Sequence, residues 1–238
     1  NGQCYTGDNL SHVDGMGPLL EALDPLMDFP GVFVPGSNCY FAPVFKNPAR
    51  YLWQPRTPQM IEEGSRVALP IERMHEAFES RGWTGLVNRY DTLNLKGLRL
   101  EFSGVDDPHL RYDEHPGFAP GAFDEGEEPS VRIGVAHAPY MRTLHRFVQD
   151  GAQAIFAGHT HGGQVCLPGG HALVSNCDLP PSRAKGVSKQ SGIPVQVSAG
   201  LGTSRFAPVR LFCPPEAILV TLTARDKDEA DASKGDRR

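Results

Sequence analysis

Short apolar runs alternate with amphipathic stretches along the chain, the pattern of a layered fold in which helices lie on sheets. Leu19, Leu20, Leu23 and Leu26 share one helical face, so residues 15–27 are predicted to form a helix that stops before Pro30-Gly31. Val32-Phe33-Val34 reads as a short buried strand ending in Gly36-Ser37-Asn38. Residues 43–58, rich in proline and aromatics, read as an irregular loop, and 71–80 as a second helix closed by Gly82. Alternation on both sides of Lys96-Gly97 predicts a hairpin across 93–100 with its turn near Gly97. Strands at 131–136 and 154–157 deliver His137 and Gly158-His159-Thr160-His161, with a helix at 140–148 between them. Residues 195–198 and 217–223 are strand-like as well.

Two stretches break this pattern. Residues 106–130 carry eight acids against one arginine, which predicts an exposed acidic loop, either a mobile rim over a site or a solvated insertion. From Arg225 the sequence is charged and lacks large apolar residues, which predicts a disordered tail over 225–238. No repeat and no second core is evident, so residues 1–224 form one expected domain.

Composition narrows the function. A net charge of −5 excludes a nucleic-acid binder that relies on a general basic surface. No apolar run approaches the roughly 20 residues of a membrane span. The five cysteines are odd in number and form no Cys-x-x-Cys pair, so a disulfide framework is not expected and a reducing, cytoplasmic setting is. Asn1-Gly2-Gln3-Cys4-Tyr5 carries no signal pattern and reads as the interior of a longer chain. A membrane anchor in a preceding segment is left open.

Four polar clusters share one placement, the end of a short apolar strand: Gly7-Asp8-Asn9, Gly36-Ser37-Asn38, Ala136-His137-Ala138 and Gly158 through Gly163. Strand ends on one side of layered α/β folds are where ligands gather. A carboxylate, an amide oxygen and imidazoles make a donor set suited to Mn, Fe or Zn. Taken singly, Gly-Asp is usually a turn and a strand-end histidine usually a satisfied partner of backbone groups. His159 and His161 are stronger, because alternate residues of an extended segment point the same way. Arg205, after Gly-Thr-Ser, is a candidate phosphate contact or an ordinary surface arginine.

The four clusters read Gly7-Asp8-Asn9-Leu10, Gly36-Ser37-Asn38, His137-Ala138-Pro139-Tyr140 and Gly158-His159-Thr160-His161-Gly162-Gly163-Gln164. In this order the chain resembles the calcineurin-like metallophosphoesterases, and within them a bacterial phosphodiesterase-like branch, from Gly7 to about Leu222. Gly104-Val105-Asp106-Asp107-Pro108 and Gly200-Leu201-Gly202-Thr203-Ser204 are similar to that branch too. The resemblance implies an α/β fold, a two-sheet β-sandwich flanked by helices, with a dinuclear metal centre at the strand ends. It implies that Asp8 bridges both ions, that Asn38, His137 and His159 complete one site, and that His161 serves the other. Asp8, Asn38 and His137 would then be catalytic, and a bridging hydroxide would hydrolyse a small phosphate ester, most naturally a phosphodiester.

Two departures qualify it. The family's Asp-x-His motif has no match upstream of Gly7, so an amino-terminal strand-helix unit is expected to precede Asn1. Asp8 and His161 alone would remain for the second ion, and about one ion per chain is expected. Cys39 stands where the family has His or Asp, and a passive thiol is expected there rather than a ligand. Of the other histidines, His109 and His115 are candidates to line the substrate approach; His12, His75, His145 and His171 match no motif. Two rival readings are a metal-binding remnant without turnover and a mononuclear zinc hydrolase using the histidine pair and Asp8. The second lacks a positioned Glu base of the His-Glu-x-x-His kind.

Overall fold

The computed structural model describes residues 2–45, 66–119 and 130–223. Most of the loop expected at 43–58, part of the acidic stretch and the tail at 225–238 lie outside the described residues.

Strands β1 (Gln3–Tyr5), β2 (Gly31–Phe33) and β3 (Trp83–Gly85) form a parallel sheet in that order. Parallel neighbours need crossovers, and helices supply them. The 15–27 pattern gives α1 (Met16–Leu23), extended at both ends by single 3₁₀ turns, and the 71–80 pattern gives α3 (Ile71–Glu79). Between them a four-residue helix α2 (Ser37–Tyr40) follows β2. The inward stripes of α1 and α3 cover the sheet through Leu23, Met74 and Phe78 packed on Phe33 and Trp83. Phe33 and Phe78 meet edge to face at 5.1 Å, and Trp83 Nε1 donates to Phe29 O at 2.9 Å, so the indole is buried without an orphaned donor. Burying each of these large side chains contributes about 2–3 kcal/mol.

The second sheet has six strands in the order β10-β11-β7-β6-β5-β4. The predicted hairpin is β4 (Arg89–Leu95) and β5 (Leu98–Gly104), paired from Arg89–Gly104 to Leu95–Leu98. Lys96 and Gly97 turn it with φ of 52° and 80°, the two positive values a tight primed turn requires. β5, β6 (Ser130–Val135), β7 (Ala154–Ala157) and β11 (Ile193–Val197) run parallel, and β10 (Gly186–Gln190) returns antiparallel along β11. Helix α4 (Met141–Gln149) follows β6 and buries Leu144 and Phe147 on the outer face with Ile155, Val195 and Val197. Strands β8 (Cys166–Leu167) and β9 (His171–Ala172) make a small separate ladder.

The two larger sheets face each other through Val32 and Val34 from one side and Leu100, Phe102, Ile133 and Val135 from the other. The chain is thus an α/β protein with two multi-stranded sheets flanked by helices. β1, β2, β6 and β7 each end beside one of the four polar clusters.

Two sequence expectations are corrected. Residues 217–223 form no strand; they are exposed throughout, with Leu219 at 92%. Their alternation is strand-like, but no ladder partner stands beside them among the described residues. The first acids of the 106–130 stretch are not on an exposed loop either. Asp106 and Asp107 are buried, because the two Asp106 carboxylate oxygens share the single proton donated by the Tyr40 hydroxyl and Asp107 accepts from the backbone of His109 and Leu110.

Candidate metal centre

Asp8 follows β1 with φ of 61°, and His159 and His161 follow β7 with φ of 69° and 50°. Non-glycine residues rarely adopt this left-handed region; it costs on the order of 1 kcal/mol or more at each, and such strain concentrates at functional sites. At Asp8 and His159 this strain turns two polar side chains off strand ends toward one place.

Asn38 fixes the Asp8 carboxylate from two sides. Its backbone N–H donates to Asp8 Oδ1 and its side-chain Nδ2 to Oδ2, each at 2.8 Å. His137, at the end of β6 and fully buried, donates from Nδ1 to Thr6 O at 2.6 Å. That bond settles the ring's orientation and turns Nε2 inward, 3.3 Å from Asp8 Oδ2 and 3.1 Å from His159 Nδ1. His159 Nε2 in turn lies 3.2 Å from Asn176 O.

Burial works against both charges of the Asp8–His137 pair, and the mutual attraction prevails. Desolvation alone would raise the Asp8 carboxyl, but His137 holds it well below the usual carboxylate range. Desolvation alone would lower His137, but Asp8 lifts it to about 9. His159 goes the other way. Burial, with His109 and His137 beside it, pushes its imidazole well below its ordinary value, so the ring is neutral at pH 7.

Asp8, His137 and His159 each offer one ligand atom within 4.8 Å of the others, and no other group of three such residues occurs among the described residues. The donor set fits a divalent cation: one carboxylate, and two imidazoles oriented through their second nitrogens. Close approach makes room for it. A Cβ at Gly36 would collide with Asp8 Oδ1 and lie 2.7 Å from the His137 ring.

His161 does not join this group. The segment after β7 is not extended, as the alternate-residue argument assumed. It bends at His159 and closes into a 3₁₀ turn over His161–Gly163, with Thr160 Oγ1 donating to Ala184 O and accepting from Gly162 N. His161 lies on the same cavity with Nδ1 3.2 Å from Gln164 Oε1. Arg205 is exposed at the cavity rim, its guanidinium carbon 5.8 Å from the centre of the Phe206 ring.

Cys39 is buried beside the centre, and its Sγ accepts from Asn9 N at 3.3 Å. Burial, then the Asp8 charge, push the thiol up to about 12, so it stays protonated. Of the two histidines expected near the substrate approach, His109 lines the cavity, whereas His115 packs on Phe147 and faces Asp150. The sequence reasoning missed Asn176 altogether, and no local signal marks it. Asp107 and Tyr140 lay within the quoted motifs without a role.

No family model matches the chain. YkuE, an uncharacterized metallophosphoesterase of Bacillus subtilis (strain 168), is 27% identical over 151 residues, 59% of this chain and 47% of that protein. YpbG, an uncharacterized protein of the same strain, is 29% identical over 154 residues, 63% of this chain and 52% of its own length. The chain therefore spans about half the length of these relatives. A distant metallophosphoesterase-like homologue and a three-residue cluster able to hold a metal ion stand together.

Proposed function

We propose that this chain is a metal-dependent phosphoesterase that hydrolyses small phosphate esters, phosphodiesters in particular. The observation that carries the reading is the convergence of Asp8, His137 and His159 at strand ends, with the outer nitrogen of His137 anchored on Thr6 O. Likeness to a relative named as a metallophosphoesterase supports it.

Asp8, His137 and His159 would hold the ion, with Asn38 keeping the Asp8 carboxylate in place. A bound divalent ion supplies Lewis-acid charge to a phosphoryl group and its attacking oxygen. The protein's own part is orientation and exclusion of competing charge. Thr6 O keeps the His137 proton on Nδ1, burial keeps His159 neutral, and Asn38 restricts rotation of the one carboxylate in the group. The site opens onto a cavity of about 1340 Å³, roomy enough for the organic arms of a diester.

His161 stands outside the three-residue group, so one ion per chain is the proposed stoichiometry, Mn, Fe or Zn being compatible with the donors. Metal analysis after dialysis, paired with hydrolysis of bis(p-nitrophenyl) phosphate and p-nitrophenyl phosphate, tests this. About one ion per chain, loss of turnover in EDTA and preference for the diester are expected. Undiminished hydrolysis in His137→Ala, or no metal retained by the wild type, overturns the reading. Stoichiometric metal with no turnover favours the metal-binding remnant instead.

A further inference from the structure

His109 is built into the wall of the metal centre without belonging to the ligand group. The chain leaves β5 at Gly104 and turns at once, and the turn is held from inside by Asp107. That carboxylate, fully buried, accepts from His109 N at 3.0 Å and from Leu110 N at 3.2 Å, which fixes the backbone that carries the imidazole. The ring is fixed a second time by the Tyr140 hydroxyl, 2.9 Å from Nδ1. Tyr140 is itself buried and stands three residues after His137, so one segment sets both rings. A third constraint is the His159 ring, whose centre lies 4.8 Å away at 42°. His109 lines the same cavity as Asp8, His137 and His159.

Orienting one side chain from a buried carboxylate turn, a buried phenol and a neighbouring ring costs conformational freedom, and a merely solvated histidine needs none of it. The donor set explains the use. Asp8, His137 and His159 turn acceptor atoms toward an ion, whereas a phosphoryl group also needs N–H or O–H donors for its oxygens. The 2.9 Å contact with the Tyr140 hydroxyl fits a bond donated by that hydroxyl to Nδ1, an arrangement that would put the ring proton of His109 on Nε2 as a donor of the required kind.

We propose that His109 is a substrate-contacting residue that donates a hydrogen bond from Nε2 to a phosphoryl oxygen of the ester, and that Tyr140 and Asp107 are its positioning residues. The proposal rests on the phosphoesterase reading above and deepens it. No covalent step is assigned to His109.

The test uses inorganic phosphate and bis(p-nitrophenyl) phosphate on the Mn-loaded chain, with metal content measured on every variant. His109→Ala is expected to keep the wild-type metal content, to weaken phosphate binding about tenfold, and to lower kcat/KM for the diester by about the same factor. His109→Gln, whose amide can place an N–H near the Nε2 position, should recover part of the loss. Tyr140→Phe keeps the ring and removes the hydroxyl, and should fall between wild type and His109→Ala. Phosphate affinity unchanged in His109→Ala overturns the proposal while leaving the phosphoesterase reading intact. Loss of metal in His109→Ala overturns it too, because the residue would then belong to the metal site. A wild type that retains no Mn removes the parent reading, and this one with it.

Discussion

His137 Nε2 and Asp8 Oδ2 lie 3.3 Å apart, so in the metal-free protein a proton on His137 occupies the side of the ring that an ion would take. His137 is raised from 6.5 to about 9 in the folded protein. A group whose pKa rises on folding stabilises fully below its unfolded value and loses that contribution as pH climbs through its folded one. For His137 the loss falls between about pH 6.5 and 9. Asp8, depressed from 3.8, acts in the opposite sense: its contribution is present above its unfolded value and disappears in acid. The metal-free protein should therefore be most stable near pH 5–6 as far as this pair is concerned, and melt at falling temperatures toward pH 9. Melts recorded in EDTA across that range check this.

Metal loading should invert the trend, because the ion displaces the His137 proton. At pH 7 uptake should release close to one proton per chain, and apparent affinity should climb about tenfold per pH unit until about pH 9. Calorimetry in buffers of different ionisation heat measures the proton count directly. Zero release at pH 7 would mean the pair is not where the metal binds.

Gly36 offers a steric probe of the same spot. Its φ of −128° and ψ of 172° suit any residue, so alanine there adds no backbone strain. The added methyl meets the Asp8 carboxylate and the His137 ring instead. Overpacking of this kind costs about 1–3 kcal/mol, and here it falls on two members of the candidate metal-binding group together. Gly36→Ala should lower Mn affinity by tenfold or more. Gly17→Ala is the control: it lies in α1 with nothing within 4 Å of the new Cβ, and should leave affinity unchanged while raising the melting temperature slightly. Equal Mn affinity in the Gly36→Ala and Gly17→Ala proteins would refute the argument.

Features set by near neighbours in the chain were legible beforehand. The Lys96-Gly97 turn, the helix at 71–79 and the strand delivering His137 depend on local period and turn chemistry, and the structure has them. What failed depends on distant partners. Asp106 looks solvated in sequence, but Tyr40, 66 residues away, buries it. Residues 217–223 alternate like a strand, but a ladder needs a neighbour that period alone cannot supply. Within the site, the placement of Asp8 and His137 followed from strand ends. The divergence of His159 from His161 did not, because it turns on positive φ at non-glycine residues and on the Thr160 bond to Ala184.

That divergence sets an order among the histidines. His137→Ala and His159→Ala each remove one of three converging ligand atoms and should abolish tight metal retention. His161→Ala removes a ring that lies against Gln164 and outside the group, and should keep most of the metal, within about threefold of wild-type affinity. Competition with a fluorescent chelator ranks the three. Metal loss in His161→Ala as large as in His159→Ala would place His161 in the coordination shell.

Cys39 sits next in sequence to Asn38, close enough to the centre to be mistaken for a ligand. Its thiol is buried, held protonated by desolvation and by the Asp8 charge, and its sulfur accepts the Asn9 N–H. A metal-ligating cysteine needs the thiolate, and this environment disfavours the thiolate. Cys39→Ser keeps an acceptor for Asn9 N in a slightly smaller side chain, so metal content should match the wild type. Cys39→Ala leaves the Asn9 donor without that acceptor. It should cost about 1–3 kcal/mol of stability, again with the metal retained. Native Cys39 should also resist alkylation by iodoacetamide until the chain unfolds, in the presence and absence of Mn alike. A thiol protected from alkylation by Mn alone, together with metal loss in Cys39→Ser, would make the sulfur a ligand and assign it a place in the shell beside Asp8.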